Sequence, residues 1–446
     1  MRIQLTNPEL FATVFQNITG CKLHHPTYGI ATDSREIEEG DLYIAIKGIK
    51  YDGHQFLKTV MSSGAVAALV EDTQDEIEIQ QIKVKNTLLE IAKISKIWRN
   101  QFDIPVIGIT GSNGKTSTKE LLAHVLSGNN IVHATKGNFN TNIGVPLTLL
   151  ELDPTHNISI IEMGASIPGE IEDLCKIVKP NFGVITNIAP AHLEGFKTIE
   201  NIAFEKGALF RALDKGISFV NQADNLISQV PFNGKKITYG LHPECDFPAD
   251  IYHENDGTLT LILDTNVIPT NSKNLSFLKN CIAVAAISIS LGLSWDDLKQ
   301  KIQSFSSPKG RCFVKQINDI TIIDDTYNAN LSSSLASLDY LNAFSKEGRK
   351  IFVFGDMFEL GALSRDQHKK IGERCLELKL DGVFTLGEHT KHTNNVLNAS
   401  IHNEHFDDKN AMIESLKAII NPGDQILFKG SRGMKMEKII EGVFKS

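Results

Sequence analysis

The stretch "GITGSNGKTSTKELL", residues 108–122, constrains the chain more than any other. It follows an apolar run, Ile104, Val106 and Ile107, and reads as a strand, a glycine-rich turn and a helix. Such a turn holds phosphate for three physical reasons. Gly111 and Gly114 let backbone N–H groups turn toward an anion. A helix running from Ser117 offers unpaired N–H donors and the positive end of its dipole. Lys115 adds charge, and the Thr116 hydroxyl has the reach for Mg2+. Ile109 stands where the usual phosphate-loop spelling has its first glycine. That changes the spelling and leaves the three reasons intact.

The loop needs a parallel sheet around it, and the neighbouring sequence supplies one. Strand-like runs ("NISIIEM", "FGVITNI", "GISFVN") alternate with helix-like ones ("STKELLAHVLSG", "IPGEIEDLCKIV", "TIENIAFEKGALFRAL"). Residues 245–272 read instead as antiparallel strands, with "NDG" as a hairpin turn. "SSPKGR", 306–311, marks a boundary through Pro308 and Gly310. Beyond it "DITIIDD", "KIFVFGD", "GVFTLG" and "QILFKGS" alternate with helix-like segments at 332–344, 366–378, 411–420 and 434–444. This predicts a second doubly wound unit, with its polar residues at the strand ends where such sheets bind ligands. The expected class is α/β with three domains, 1–99, 100–307 and 308–446, the central one a parallel-sheet P-loop domain and the last Rossmann-like.

Bulk properties narrow the partners. A formal charge of −8 speaks against a general nucleic-acid binder. No stretch reaches membrane-spanning length, and "MRIQLTNPELFATVFQN" lacks the apolar core of a signal peptide. Six cysteines without a C-x-x-C pair fit reduced, mostly buried thiols. A cytoplasmic protein is expected, a monomer acting on small molecules, with no membrane insertion and no nucleic-acid partner.

Other candidates follow from position. Glu162 closes the apolar run "ISIIE" and could complete a Mg2+ site beside the loop. From the residues alone, His192 in "NIAPAHLEGF" reads as a hydrogen-bonded loop residue. Lys206 in "IAFEKGALF" reads as a solvated helix lysine, and Ser34 and Arg35 in "DSRE" as a solvated turn. Asn221 and Asp224 have the spacing of a guanine-reading loop, but Gln222 fills the usual lysine position, and the match is accidental.

"TGSNGKTSTKELL", "GNFNTNIGVPLTLL", "EMGASIPGEI", "DDTYNANLSS", "GDMFELGALSRDQH" and "KGSRGMKMEKII" occur in this order. Together they resemble the Mur ligase family of peptidoglycan synthesis. "DSREIEEGDLYIAIKG" and "YDGHQF" resemble that family's nucleotide-sugar-binding domain. The combination of "NTNIGVPLTL", "GDMFELG" and "KGSRGMKME" resembles the member that adds a dipeptide. The resemblance implies an ATP-dependent carboxylate–amine ligase, with an ATPase centre, a UDP-sugar domain and a C-terminal domain that admits the amine.

It also implies roles residue by residue. Thr110, Gly111, Ser112, Asn113, Gly114, Lys115, Thr116 and Ser117 would hold ATP, with Asn280, Arg311, Asp325, Tyr327 and Asn328 around it. Thr116 and Glu162 would bind one Mg2+. His192 and Lys206 would serve a second, Lys206 as a carbamate formed with CO2, which reverses the reading of both from the residues alone. Lys115, Lys206 and His192 are the expected catalytic groups. Ser34 and Arg35, Asn138 and Asn142, Asn330, Lys429 and Arg432 would contact the substrates, UDP-N-acetylmuramoyl-tripeptide and D-alanyl-D-alanine. The implied chemistry is an acyl phosphate made with ATP and then opened by the dipeptide amine. A sister ligase adding the third residue, a folylpolyglutamate synthase and a nucleotide-gated switch are the rival readings.

Overall fold

The computed structural model describes residues 1–48, 51–344 and 347–444. Among these residues the strands form three sheets, one per block of sequence. The first has five strands in chain order, from Arg2–Gln4 to Gln80–Lys83; its first pair is antiparallel and the rest parallel. The third has six, ordered Phe313–Ile317, Ile320–Asp325, Gln425–Lys429, Lys350–Gly355, Gly382–Leu386 and His402–Phe406. All its pairings are parallel except the edge pair Phe313–Ile317 with Ile320–Asp325.

The central sheet has nine strands. Val106–Thr110, which leads into the loop, lies between Ile158–Glu162 and Phe182–Ile185, parallel to both. Every residue of Val106–Thr110 is buried, as expected of a strand with helices on both faces. The expected antiparallel segment forms Phe247–His253, Leu259–Leu263 and Asn266–Ser272. It joins the parallel part through Tyr239 and Gly240 alone, paired with Phe247 and Pro248. The "NDG" turn closes with Glu254 N–H to Thr258 O at 2.9 Å, and Gly257 takes φ +84°.

The helix Thr87–Arg99 ties the first sheet to the second. Asn86 caps it, and Ile91, Ile94 and Trp98 fall on its buried face. Trp98 Nε1 donates to Leu152 O at 3.1 Å, and a single apolar cluster runs from Ile3 to Val230. The last expected helix, 434–444, starts later than read. A 3-10 turn at Arg432–Met434 and a left-handed Lys435 (φ 50°) precede Glu437–Phe444.

Candidate active site

The loop is held open toward a cleft of about 740 Å³ between the central and third sheets. Gly111 sits at φ +147°, and a Cβ there would lie 1.9 Å from Thr186 Oγ1. Gly114 (φ +80°) precedes the helix Lys115–Leu126, whose N-terminus has no side-chain cap. Its first N–H groups are therefore left for a ligand. The segment after Phe182–Ile185 fixes the loop from behind. Asn113 N–H donates to Asn187 Oδ1 (2.8 Å), Ser112 N–H to Asn187 O (2.9 Å), and Ser112 Oγ to Ala189 O (2.8 Å).

Lys115 folds back on the loop, its Nζ 2.8 Å from Gly111 O. Burial pushes its amine below the usual lysine range, Glu162 pulls it back up, and Arg311 adds to the lowering. Glu162, 1% exposed at the end of its strand, accepts on Oε1 from Asn140 Nδ2 (2.7 Å) and Thr116 Oγ1 (3.2 Å). Its Oε2 is buried with no hydrogen-bond partner among the described residues. A buried, unpartnered carboxylate oxygen beside a hydroxyl is costly unless a cation meets it. Thr116 and Glu162 therefore suit a hard divalent ion.

The structure corrects the plain reading of Lys206. It is 2% exposed on the inner face of the helix Ile199–Arg211, not solvated. Burial and the nearby Lys115 charge lower its amine to about 7, with Glu205 opposing. Glu205 itself accepts from Gly169 N–H (2.6 Å) and Ile171 N–H (2.7 Å), capping the helix Glu170–Val178. His192 lines the cleft in a left-handed conformation (φ 51°), and its Nδ1 is hydrogen-bonded to the Glu359 carboxylate from the third sheet. No group of three His, Cys, Asp or Glu side chains stands at metal-binding spacing among the described residues. A second ion would need donors of another kind.

The third sheet reaches the loop at two points. Arg311 Nη2 donates to Thr116 Oγ1 (3.1 Å), and its guanidinium lies 3.8 Å above the Tyr327 ring. Asn330 caps the helix Leu331–Asn342 and donates to Asn113 Oδ1 at 2.7 Å. Asp325 and Lys429 line the cleft but form a buried ion pair with each other. Lys429 also donates to Asn328 O (3.1 Å), and Asp325 accepts from Ser337 Oγ (2.6 Å). Their charges hold the third sheet's strand ends together. Asn280 lines the cleft against Gly114, beside Phe277 stacked on Phe305 at 5.8 Å.

Asn138, Ser117 and Asn328 also line the cleft; Thr110, Gly111, Asn142, Lys206 and Arg432 do not. Arg432 pairs with Glu437 at 2.9 Å. Ser34 and Arg35 lie on the first sheet's side, where Arg35, 85% exposed, pairs with Asp33. Sequence reading missed Asn140, the asparagine of "GNFNTN" that bonds Glu162. Three asparagines at alternate positions gave no ground for choosing it. It also missed Glu359, although "GDMFELG" marked the segment.

Comparison with known proteins agrees over nearly the whole length. Residues 109–287 match the Mur ligase middle domain, residues 310–432 the Mur ligase, glutamate ligase domain, and residues 26–100 the Mur ligase family, catalytic domain. The UDP-N-acetylmuramoyl-tripeptide--D-alanyl-D-alanine ligase of Haemophilus influenzae is 35% identical over 429 residues, 92% of each chain. The enzyme of that name from Synechocystis is 36% identical over 419 residues, covering 92% of this chain and 90% of its own. Among solved structures, MurF from Acinetobacter baumannii superposes with a TM-score of 0.87 at 30% identity, covering 98% of both chains. MurF from Thermotoga maritima, in complex with ADP, gives 0.83 at 30% identity, covering 93% of this chain and 97% of its own. With these matches and an uncapped phosphate loop facing a third sheet, the chain belongs to the Mur ligase family.

Proposed function

We propose that the chain is an ATP-dependent ligase that joins D-alanyl-D-alanine to the tripeptide of UDP-N-acetylmuramoyl-tripeptide, a step in building peptidoglycan precursors. One observation carries the reading. The bare helix end at Lys115, the unpartnered Glu162 oxygen and Arg311 from the third sheet converge on one cleft. Such a cleft binds a polyphosphate and neutralises charge during its transfer.

The chemistry follows from the weakness of a carboxylate as an electrophile. The terminal carboxylate oxygen of the tripeptide attacks the γ-phosphorus of ATP, the bond to ADP breaks, and an acyl phosphate results. The dipeptide amine then attacks the acyl carbon, and inorganic phosphate leaves with the C–O bonding pair. Lys115 and the loop N–H groups hold the transferring phosphoryl group, and Arg311 stabilises its charge from the other side. A divalent ion held by Thr116 and Glu162 would offset repulsion between the carboxylate and the polyphosphate. The third sheet walls one side of the cleft, which would limit the access of water to the acyl phosphate.

Carbamylated by CO2, Lys206 would offer oxygen donors to a second ion, and His192 would be another ligand. An amine lowered to about 7 is substantially neutral at physiological pH and able to add CO2. Activity lost in Lys206→Ala and partly restored by short carboxylates supports this; an unchanged mutant overturns it. Asn280 and Asn328 are assigned to the nucleotide, Asn138, Asn142, Asn330 and Arg432 to substrate, and Ser34 and Arg35 to the uridine diphosphate group. The first, central and third units, divided near residues 99 and 307, carry these tasks in a cytoplasmic monomer.

Phosphate release with ATP, Mg2+ and the UDP-tripeptide, with and without D-alanyl-D-alanine, tests the whole. Release that depends on the dipeptide, with a product heavier by one dipeptide residue, is expected. Release without it marks a nucleotide switch and ends the ligase reading.

A further inference from the structure

The phosphate loop gives two of its backbone donors to the protein rather than to a ligand. Ser112 N–H and Asn113 N–H both go to Asn187, the first to its carbonyl (2.9 Å) and the second to its Oδ1 (2.8 Å). The Asn113 carbonyl is engaged as well, accepting from Thr186 Oγ1 at 2.5 Å. A phosphate loop ordinarily aims such N–H groups at the anion. Here the main chain of Asn113 is held from behind, and what this cleft-lining residue has left to offer is its side-chain amide. A relay from the third unit fixes which way that amide faces. Ser333 N–H donates to Asn330 Oδ1 (2.9 Å), so Asn330 turns its Nδ2 to Asn113 and donates to Asn113 Oδ1 (2.7 Å). A backbone N–H can only donate, and this sets the order of the whole chain of bonds. Asn113 keeps its NH2 group, and that Nδ2 is buried without a hydrogen-bond partner among the described residues. A buried donor left unpaired is costly unless a ligand meets it.

We propose that the Asn113 side-chain amide donates to the transferred phosphoryl group of the nucleotide, and that Asn330 is a positioning residue that holds the amide in the donating orientation. The inference rests on ATP occupying this cleft. Asn330 and Arg311 both come from the third unit and meet the loop, at Asn113 and at Thr116. The Asn113 amide therefore stands where the third unit meets the loop, as Arg311 does, beside the phosphoryl group that leaves ADP for the carboxylate. An amide N–H on an anionic phosphoryl oxygen makes a charge-assisted bond, stronger than one between neutral groups. The amide is itself neutral. It adds a donor without adding to the positive charge of Arg311, which already helps to lower the Lys115 amine.

Calorimetric titrations of the full chain in Mg2+ compare ADP with the β,γ-methylene analogue of ATP, which alone of the two carries the terminal phosphoryl group. Asn113→Ala keeps the backbone bonds to Asn187 and Thr186. It is expected to weaken the analogue by about 10-fold or more and to leave ADP nearly unchanged. Asn330→Asp keeps the helix cap, because a carboxylate still accepts from Ser333 N–H, but it has no hydrogen for Asn113 Oδ1. It is expected to melt near the parent's midpoint and still to weaken the analogue more than ADP. Added to Asn113→Ala, it is expected to weaken the analogue no further. If neither ligand binds the parent, the nucleotide reading falls and the proposal with it. If Asn113→Ala weakens both ligands equally, or neither, the amide makes no bond to the terminal phosphoryl group, and the proposal is overturned while the ligase reading stands. If Asn330→Asp leaves the analogue untouched, or its loss adds in full to that of Asn113→Ala, the positioning role of Asn330 is overturned.

Discussion

At the residue scale the site divides into groups whose chemistry is visible in their type and groups whose chemistry comes from burial. Lys115, Thr116 and Glu162 belong to the first kind. A lysine and a hydroxyl at the end of a glycine turn, and a carboxylate ending the next strand, have few other uses. Glu162→Gln keeps the shape and the bond to Asn140 but removes the negative charge beside the unpartnered oxygen. It is expected to raise the Mg2+ concentration for half-maximal turnover by at least about 10-fold; an unaltered Mg2+ titration would refute the assignment. Lys206 belongs to the second kind. Its apolar neighbours along the helix were in the sequence, but which face would be covered was not. Its folded value, about 7, lies below the ordinary 10.5. Between those values the unfolded chain binds more protons than the folded one, so this lysine makes stability rise with pH and costs stability below about 7. Lys206→Met is expected to flatten that rise and to add on the order of 2 kcal/mol at pH 7 while losing activity. Urea melts across pH 7 to 10 in CO2-free buffer, where Lys206 carries no carbamate, measure it, and parallel curves for parent and variant would contradict it.

At the element scale the sequence was most legible where one pattern had one interpretation. Val106–Thr110 and its helix, the alternating strands of the third block and the "NDG" hairpin all follow from local chemistry. What it left open depends on partners distant in sequence. Lys435 turns left-handed and delays the last helix to Glu437, a stop that no local residue announces. Gly111 shows the same dependence from the other side, because the reason it cannot carry a side chain is Thr186, on the segment after another strand. Gly111→Ala puts a Cβ at φ +147° against Thr186 Oγ1 and must displace the loop from Asn187. Nucleotide affinity is expected to fall by more than tenfold, while the thermal midpoint drops only a few degrees, since the strand and helix on either side remain packed. Calorimetric titration with ADP, beside a melt, distinguishes this from general unfolding. Asn330→Ala removes both the cap of Leu331–Asn342 and the bond to Asn113. It is expected to cost about 1 kcal/mol of stability and to weaken nucleotide binding as well.

At the scale of the whole molecule, three sheets in sequence order suggest three separable units, yet the interior does not divide that way. A new strand begins at Val106, shortly after the boundary expected at residue 99. The helix before it, Thr87–Arg99, nevertheless packs on Gly144–Leu150 and Glu170–Val178 of the central unit as well as on Pro8–Thr19 of the first. Trp98 is fully buried between them and hydrogen-bonded to Leu152, and Arg99 reaches Phe102 O (2.6 Å) and Val178 O (3.2 Å). A cut after residue 99 would therefore strip Gly144–Leu150 and Glu170–Val178 of the helix that packs on them and expose apolar surface. A fragment starting at residue 100 is expected to aggregate or to melt without a cooperative transition, whereas one starting at residue 85 retains a sharp melt and binds ADP. The emission of Trp98, one of two tryptophans, reports directly, since in the longer fragment it should stay blue-shifted until the main transition. In the full chain Trp98→Ala is expected to cost about 3–5 kcal/mol, lowering the transitions of the first and central units together. Separate transitions, with the central one unmoved, would show that the helix belongs to the first unit alone.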